Sequence, residues 1–246
     1  MTTVATNTYR SIFLLGARDT IPLMIAAAPF AIVFGALAQS NGLSVAATLG
    51  MSAIVFAGSS QFVAATLLGA GAAIPIIILT VFVVNLRHML YSISLMPQVS
   101  KLPQALRMML SFWLTDETYA AVSNRLIHGF KGDNEKSAFT WLYLGAAIPF
   151  YCSWIAFTAV GIIMGQKIPK LTEWGLDIAM VVAFVGIVVP ILKNKAQWAC
   201  AITAFISALL THDWPHQSGL LFSSMIAILV GVILSRKQST TKEHHA

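Results

Sequence analysis

The sequence predicts an all-α fold: a polytopic membrane helix bundle with six or seven spans, including a broken or re-entrant second segment. Three observations carry this expectation. Of 246 residues, 57% are hydrophobic and only 10% charged, with a mean hydropathy of +0.78, whereas a soluble domain carries about 25% charged residues. Not one Asp, Glu, Lys or Arg occurs from Thr20 to Leu86. One span takes roughly 20 apolar residues, so that run enters the membrane more than once. The net charge of +6 comes from Lys and Arg in short loops between apolar blocks, which makes them topology signals rather than a nucleic-acid patch.

Three regions follow: a polar N-terminal segment over 1–19, a transmembrane domain over 20–235, and a polar C-terminal tail over 236–246. Arg10 and Arg18 precede the membrane, with Ser11–Gly16 as a candidate start of an interfacial helix. No removable signal peptide is expected. The first block, Thr20–Ala38, contains Pro22 and Pro29. An internal proline removes a backbone donor and clashes with the preceding turn, so a bend is expected near Pro29. Such a bend is either a gate or a tolerated kink.

The second block, Leu43 to about Leu68, is interrupted by Ala57-Gly58-Ser59-Ser60-Gln61. Small residues there allow close helix packing. They also suit an unwound segment whose free N–H and C=O groups line a cavity. Gln61 favours the unwound reading, because an amide facing lipid would be unsatisfied.

The stretch Thr80–Pro97 is apolar enough to be embedded, yet carries Asn85, Arg87 and His88 at its centre. Charge in hydrocarbon is expensive and marks a pathway, a partner or a substrate. On a helix Asn85, His88 and Ser92 share one face, and Arg87, Tyr91 and Ser94 its neighbour. The competing reading has Arg87 snorkelling to a membrane end and His88 as a satisfied core residue. Read as one helical stretch, Met108–Ser123 puts Arg107, Ser111, Thr115 and Thr118 on one polar row, with Asp116 and Glu117 on apolar rows. Those carboxylates are therefore expected to be buried; the alternative is an interfacial helix with two solvated acids.

Arg125–Ser137 is the longest hydrophilic loop. Four apolar blocks follow: Ala138–Gly165, Asp177–Leu192, Ala196–Leu210 and Gln217–Leu234. Cys152 and Cys200 lie in apolar segments without ligand spacing and are expected to be ordinary buried thiols. The positive-inside rule places Lys101, Arg107, Arg125, Lys131 and Lys136 in the cytoplasm, with Lys193, Lys195 and Arg236 to Lys242. If Leu43–Leu68 crosses, there are seven spans and an outside N-terminus. If it dips in and returns, there are six and the N-terminus is inside.

Several motifs in fixed order then define a resemblance: Asp19-Thr20-Ile21-Pro22, Pro29-Phe30 with Phe34-Gly35, Phe56 to Phe62, Asn85 to Tyr91, Leu114-Thr115-Asp116-Glu117 and Gly175-Leu176-Asp177. Over about residues 16 to 235 the chain resembles the AzlC family, the large subunits of bacterial branched-chain amino-acid exporters. The resemblance implies export of branched-chain amino acids across the bacterial cytoplasmic membrane and a small AzlD-type membrane partner.

A zwitterion with an aliphatic side chain needs donors for its carboxylate, an acceptor for its ammonium and an apolar wall. The break at Gly58, Ser59, Ser60 and Gln61, beside Asn85, is the expected carboxylate cradle. Asp116 and Glu117 are the candidates for the ammonium. No Walker-type loop occurs, so coupling is expected to the proton gradient, carried by His88 or by Asp116 and Glu117 with Arg87 as counter-charge. No cofactor, metal or catalytic residue is expected, since only His88 is a histidine at membrane depth and Ser59 has no identifiable base. The alternative function is a non-catalytic assembly subunit whose polar groups bind a partner helix. Gly16-Ala17-Arg18-Asp19 and Gly175-Leu176-Asp177 are also a faint hint of an internal repeat.

Overall fold

In the computed structural model the described residues are 9–130, 135–167, 194–214 and 218–243, with residues 185, 189 and 192 between them. All regular structure among them is helical. Apart from residues 185, 189 and 192, the expected block Asp177–Leu192 lies outside the described residues, as do Lys131, Lys193 and the Gly175–Asp177 half of the suggested repeat. The chain divides into two compact units, Met1–Ala183 and Phe184–Ala246.

Two long helices form the frame of the first unit. Helix α1, Tyr9–Ser40, runs as one element through Pro22 and Pro29. It begins at Tyr9, so Ser11–Gly16 belongs to the spanning helix instead of a separate interfacial one. Helix α8, Glu135–Lys167, lies against it. A Cβ on Gly16 would collide with the backbone of Leu142 and Ala146, and one on Gly35 with Thr158 and Ile162. Gly145 and Gly161 on α8 are likewise pressed against the carbonyls of Phe13 and Ile32. Small residues let membrane helices approach backbone to backbone, where dispersion replaces the absent hydrophobic drive. Because contacts advance in the same order along both, α1 and α8 run parallel. Tyr9 stacks on Trp141 near the two helix starts, with ring centroids 6.0 Å apart.

Three interrupted segments connect these helices. The first comprises α2, Val45–Gly50, a π-helical turn over Met51–Val55, and α3, Gly58–Gly69. Between them Phe56 takes a left-handed conformation (φ 44°) and Ala57 an extended one (φ −137°). A left-handed non-glycine residue costs of order 1–3 kcal/mol and persists only where its surroundings enforce it. Here Phe56 is clasped edge-on by Tyr151 at 4.9 Å, whose hydroxyl donates to Ala53 O at 2.8 Å. The next helix start must be glycine, since a Cβ at Gly58 would lie 2.9 Å from the rings of Phe30 and Trp154.

The second segment is α4, Ile74–Asn85, with Pro75 in its first turn, followed by α5, Arg87–Val99. They meet at Leu86, whose N–H bonds the carbonyl three residues back, Val83 O, at 3.1 Å. The third comprises α6, Gln104–Phe112, and α7, Asp116–Ile127. The continuous helix expected over Met108–Ser123 is therefore corrected. The chain breaks at Trp113–Thr115, where Thr115 caps α7 by accepting from Thr118 N at 3.2 Å. Polar and apolar rows drawn across that break do not exist.

Among the described residues three segments are long and apolar enough to cross a membrane: Tyr9–Ser40, Ile74–Val99 and Glu135–Gln166. The second unit is an antiparallel hairpin of α9, Lys195–Leu210, and α10, Ser218–Glu243. Asn194 and Gln197 start α9 with a reciprocal capping box. Gly219 meets Thr211 at the turn, and Gly231, midway along α10, meets Cys200. α10 continues past Arg236, where the sequence turns polar, to Glu243. The thiols also differ from expectation: Cys152 is exposed and Cys200 half-buried. An apolar position on a membrane helix faces lipid as readily as core.

Candidate functional site

The breaks in the three connecting segments converge. Arg87, the first residue of α5, places Nη1 2.8 Å from Asp116 Oδ2. Its Nη2 donates to Ser59 Oγ in the first turn of α3. The second oxygen of Asp116, Oδ1, accepts from Tyr91 OH at 2.6 Å. One guanidinium thus bridges α3 and α7, and one carboxylate is held from both sides by α5. Ser60 Oγ donates to Asn85 Oδ1 at 2.6 Å, and His88 Nδ1 lies 3.1 Å from Asn85 O.

Aromatic rings wall this cluster. Tyr91 stacks on Tyr119 at 4.4 Å and receives the edge of His88 at 5.8 Å. Glu117 is half-buried beside Asp116 in the first turn of α7. Helix starts carry partial positive charge and unsatisfied N–H groups. The starts of α3 and α7, together with Arg87, create a field that suits carboxylates, and Asp116 and Glu117 occupy it. An open groove of about 410 Å³ adjoins the cluster, lined by His88, Met89, Ser92, Ile93, Ser111 and Leu114.

Gln61 stands apart from its neighbours. Its side chain is fully buried; Oε1 accepts from Trp154 Nε1 at 3.1 Å and Nε2 donates to Ser52 Oγ at 3.0 Å. Ser52 in turn lies 2.9 Å from Thr158 Oγ1. This dry network ties the π-helical turn and the start of α3 to α8. Its amide is spent on the fold of the break, which a buried polar group requires.

The structure thus brings together Ser59, Ser60, Asn85, Arg87, His88 and Asp116, with Glu117 adjacent and Gly58 at the wall made by Phe30 and Trp154. Pro29 lies on α1 next to Phe30, whose ring stacks on Phe62 at 4.3 Å. Sequence reasoning placed Tyr91 on a polar ladder without giving it a role, and did not connect Ser52, Trp154 and Thr158 to Gln61. The i, i+4 spacing of Trp154 and Thr158 on α8 was the available signal. It also missed the bidentate pair of Arg125 with Asp19, because Arg125 was assigned to a loop. Among the described residues no group of three or more His, Cys, Asp or Glu could hold a metal ion.

Long apolar helices, interrupted segments and a charged cluster where the interruptions meet define a polytopic helical membrane protein with an internal polar site. The chain belongs to the AzlC family: the sequence model of the AzlC protein matches residues 22–168. It is 30% identical over 225 residues to the inner membrane protein YgaZ of Escherichia coli (strain K12), covering 90% of this chain and 86% of that one. It is 28% identical over 221 residues to the branched-chain amino acid transport protein AzlC of Bacillus subtilis (strain 168), covering 89% and 83%. An uncharacterized membrane protein of Archaeoglobus fulgidus is 29% identical over 204 residues, covering 82% and 85%. No solved structure matches the chain.

Proposed function

We propose that the chain is a secondary transporter that exports branched-chain amino acids across the cytoplasmic membrane, coupled to the proton gradient and working with a small membrane partner. The observation that carries this reading is the Ser59–Arg87–Asp116–Tyr91 cluster at the meeting of the helix breaks. Carboxylate binding falls to the start of α3, at Gly58, Ser59 and Ser60, with Arg87 behind it. Ammonium binding falls to Asp116 or Glu117, and proton exchange to those carboxyls and His88. The aliphatic end needs only an apolar wall. The Bacillus subtilis relative, a branched-chain amino acid transport protein, supports the substrate class.

Parallel packing of α1 and α8 supports six crossings. An odd number of crossings separates two spans that run the same way, and Ile74–Val99 supplies one. Leu43–Gly69 and Gln104–Ile127 then both cross or both turn back. Each is split into helices of 12 residues or fewer, and such a helix reaches only about 18 Å against a hydrocarbon core of about 30 Å. Both turn back in our reading, so α1 and α8 start in the cytoplasm with Arg10, Arg18, Lys101 and Lys136. With the block Asp177–Leu192 and the hairpin α9–α10 crossing, the C-terminus is cytoplasmic.

A second reading, an assembly subunit, draws on the exposed apolar face of α4 and α5, including Phe82, Leu86, Met89, Leu90 and Ile93. Efflux of labelled leucine or valine from vesicles, with and without a proton gradient and the small partner, separates the two. Gradient-dependent, saturable efflux is expected. A reconstituted complex that moves neither amino acid, while Arg87 variants lose the partner, would establish the second reading.

A further inference from the structure

A second ion pair lies away from the cluster just described. Asp19 on α1 and Arg125 in the last turn of α7 form a two-pronged contact: Arg125 Nη2 donates to Asp19 Oδ1 at 2.7 Å, and Nε to Oδ2. Asp116 and Arg125 stand nine positions apart on α7, about 14 Å at 1.5 Å per residue. The same separation appears on α8. Asp19 follows Gly16, which packs at Leu142 to Ala146, whereas Gln61 and Ser52 bond Trp154 and Thr158. The pair therefore sits between the central cluster and the end of the unit where α1 and α8 begin.

Two features show which part can move. α1 and α8 are locked backbone to backbone through four glycines, and a close-packed contact of that kind is not continuously deformable. α7 is held by side chains of three kinds: Asp116 and Tyr119 engage α5 in its first turns, Val122 joins an apolar cluster with Leu110, Phe139 and Tyr143, and Arg125 pairs with α1 at its far end. Its N-terminal end is the break at Trp113–Thr115. The pair lies near the membrane surface, with the Arg125 side chain 37% exposed, where an ion pair adds little stability and can break and re-form in contact with water.

We propose that Asp19 and Arg125 form a latch that holds α7 against α1, closes the path from that end of the unit to Arg87 and Asp116, and opens once per transport cycle. The cycle rests on the transport reading; the closure does not. Arg125 is a positioning residue here: its hold on α7 sets where Asp116 and Glu117 stand.

The test is thiol labelling of Ser60→Cys, whose parent side chain is fully buried, in a chain with Cys152 and Cys200 replaced by Ala. A membrane-impermeant thiol reagent is applied to sealed vesicles from each side. From the side of the α1 start, R125Q is expected to label about tenfold faster, as befits a closed state whose open form is a minor population. The exchange D19R/R125D is expected to return the rate toward that of the parent. If R125Q does not insert, D19N removes the same pair. Equal rates in parent and pair-broken chain, or an exchange variant that labels no slower than R125Q, overturn the latch. This labelling pattern in the Ser60→Cys chain, together with no amino-acid efflux from vesicles that carry the parent chain with Ser60 intact, keeps the closure and discards the transport reading.

Discussion

Arg87 is placed where one nitrogen reaches Asp116 and the other Ser59, and a lysine would have to serve both acceptors from a single nitrogen. Its ammonium is a single point charge, while the guanidinium is a planar fork. R87K is therefore expected to lose at least about tenfold in efflux, since a hydrogen bond to a charged group is worth about 1.5–3 kcal/mol. Near-normal efflux from R87K, measured at matched membrane levels, would show that only the charge matters. Tyr91→Phe keeps the ring stacked on Tyr119 and deletes the donor to Asp116. Slower efflux with unchanged insertion is expected, and an unaltered rate would remove Tyr91 from the site. Gly58→Ala meets the rings of Phe30 and Trp154, an overpacking that costs about 1–3 kcal/mol. The thermal unfolding temperature in detergent should fall, and an unchanged one would mean that the rings have room to move.

The breaks are built elements, with their own buried partners. Gln61→Leu strands Trp154 Nε1, at a cost of about 1–3 kcal/mol, and removes the donor to Ser52, which keeps only Thr158. A loss of thermal stability larger than that of Ser59→Ala is expected, because Ser59 gives up only one partly buried contact. Equal losses would show that the Gln61 network does not hold the break. The interruption around Gly58 was legible because glycine, hydroxyls and an amide at membrane depth have few other uses. The break before Asp116 was equally legible in principle: Thr115 followed by two acids is a helix-start signature. It was overridden by reading helical period straight through Trp113. The halt at Leu86 had no such signature, since leucine neither caps nor breaks a helix, and only the backbone bond to Val83 reveals it.

Across the whole molecule, hydropathy alone specified a membrane helix bundle, and the family follows from the order of its motifs. Pairing did not. Nothing in Gly16, Gly35, Gly145 and Gly161 says that they face one another, because glycines are common in membrane helices and their partners are distant in sequence. The Asp19–Arg125 and Arg87–Asp116 pairs were hidden for the same reason: complementary charges on different helices can be matched in several ways. In the reading proposed above, the parallel α1–α8 arrangement goes with six crossings and both termini inside. Reporter fusions at residue 1 and residue 246 should then report the same side, and opposite sides would restore the seven-span alternative. The charged cluster where the breaks meet is most directly tested by efflux of labelled leucine from vesicles bearing Asp116→Asn, under an imposed pH gradient and with insertion verified. Loss of efflux is expected; efflux at the parental rate would contradict a transport site built on Arg87 and Asp116.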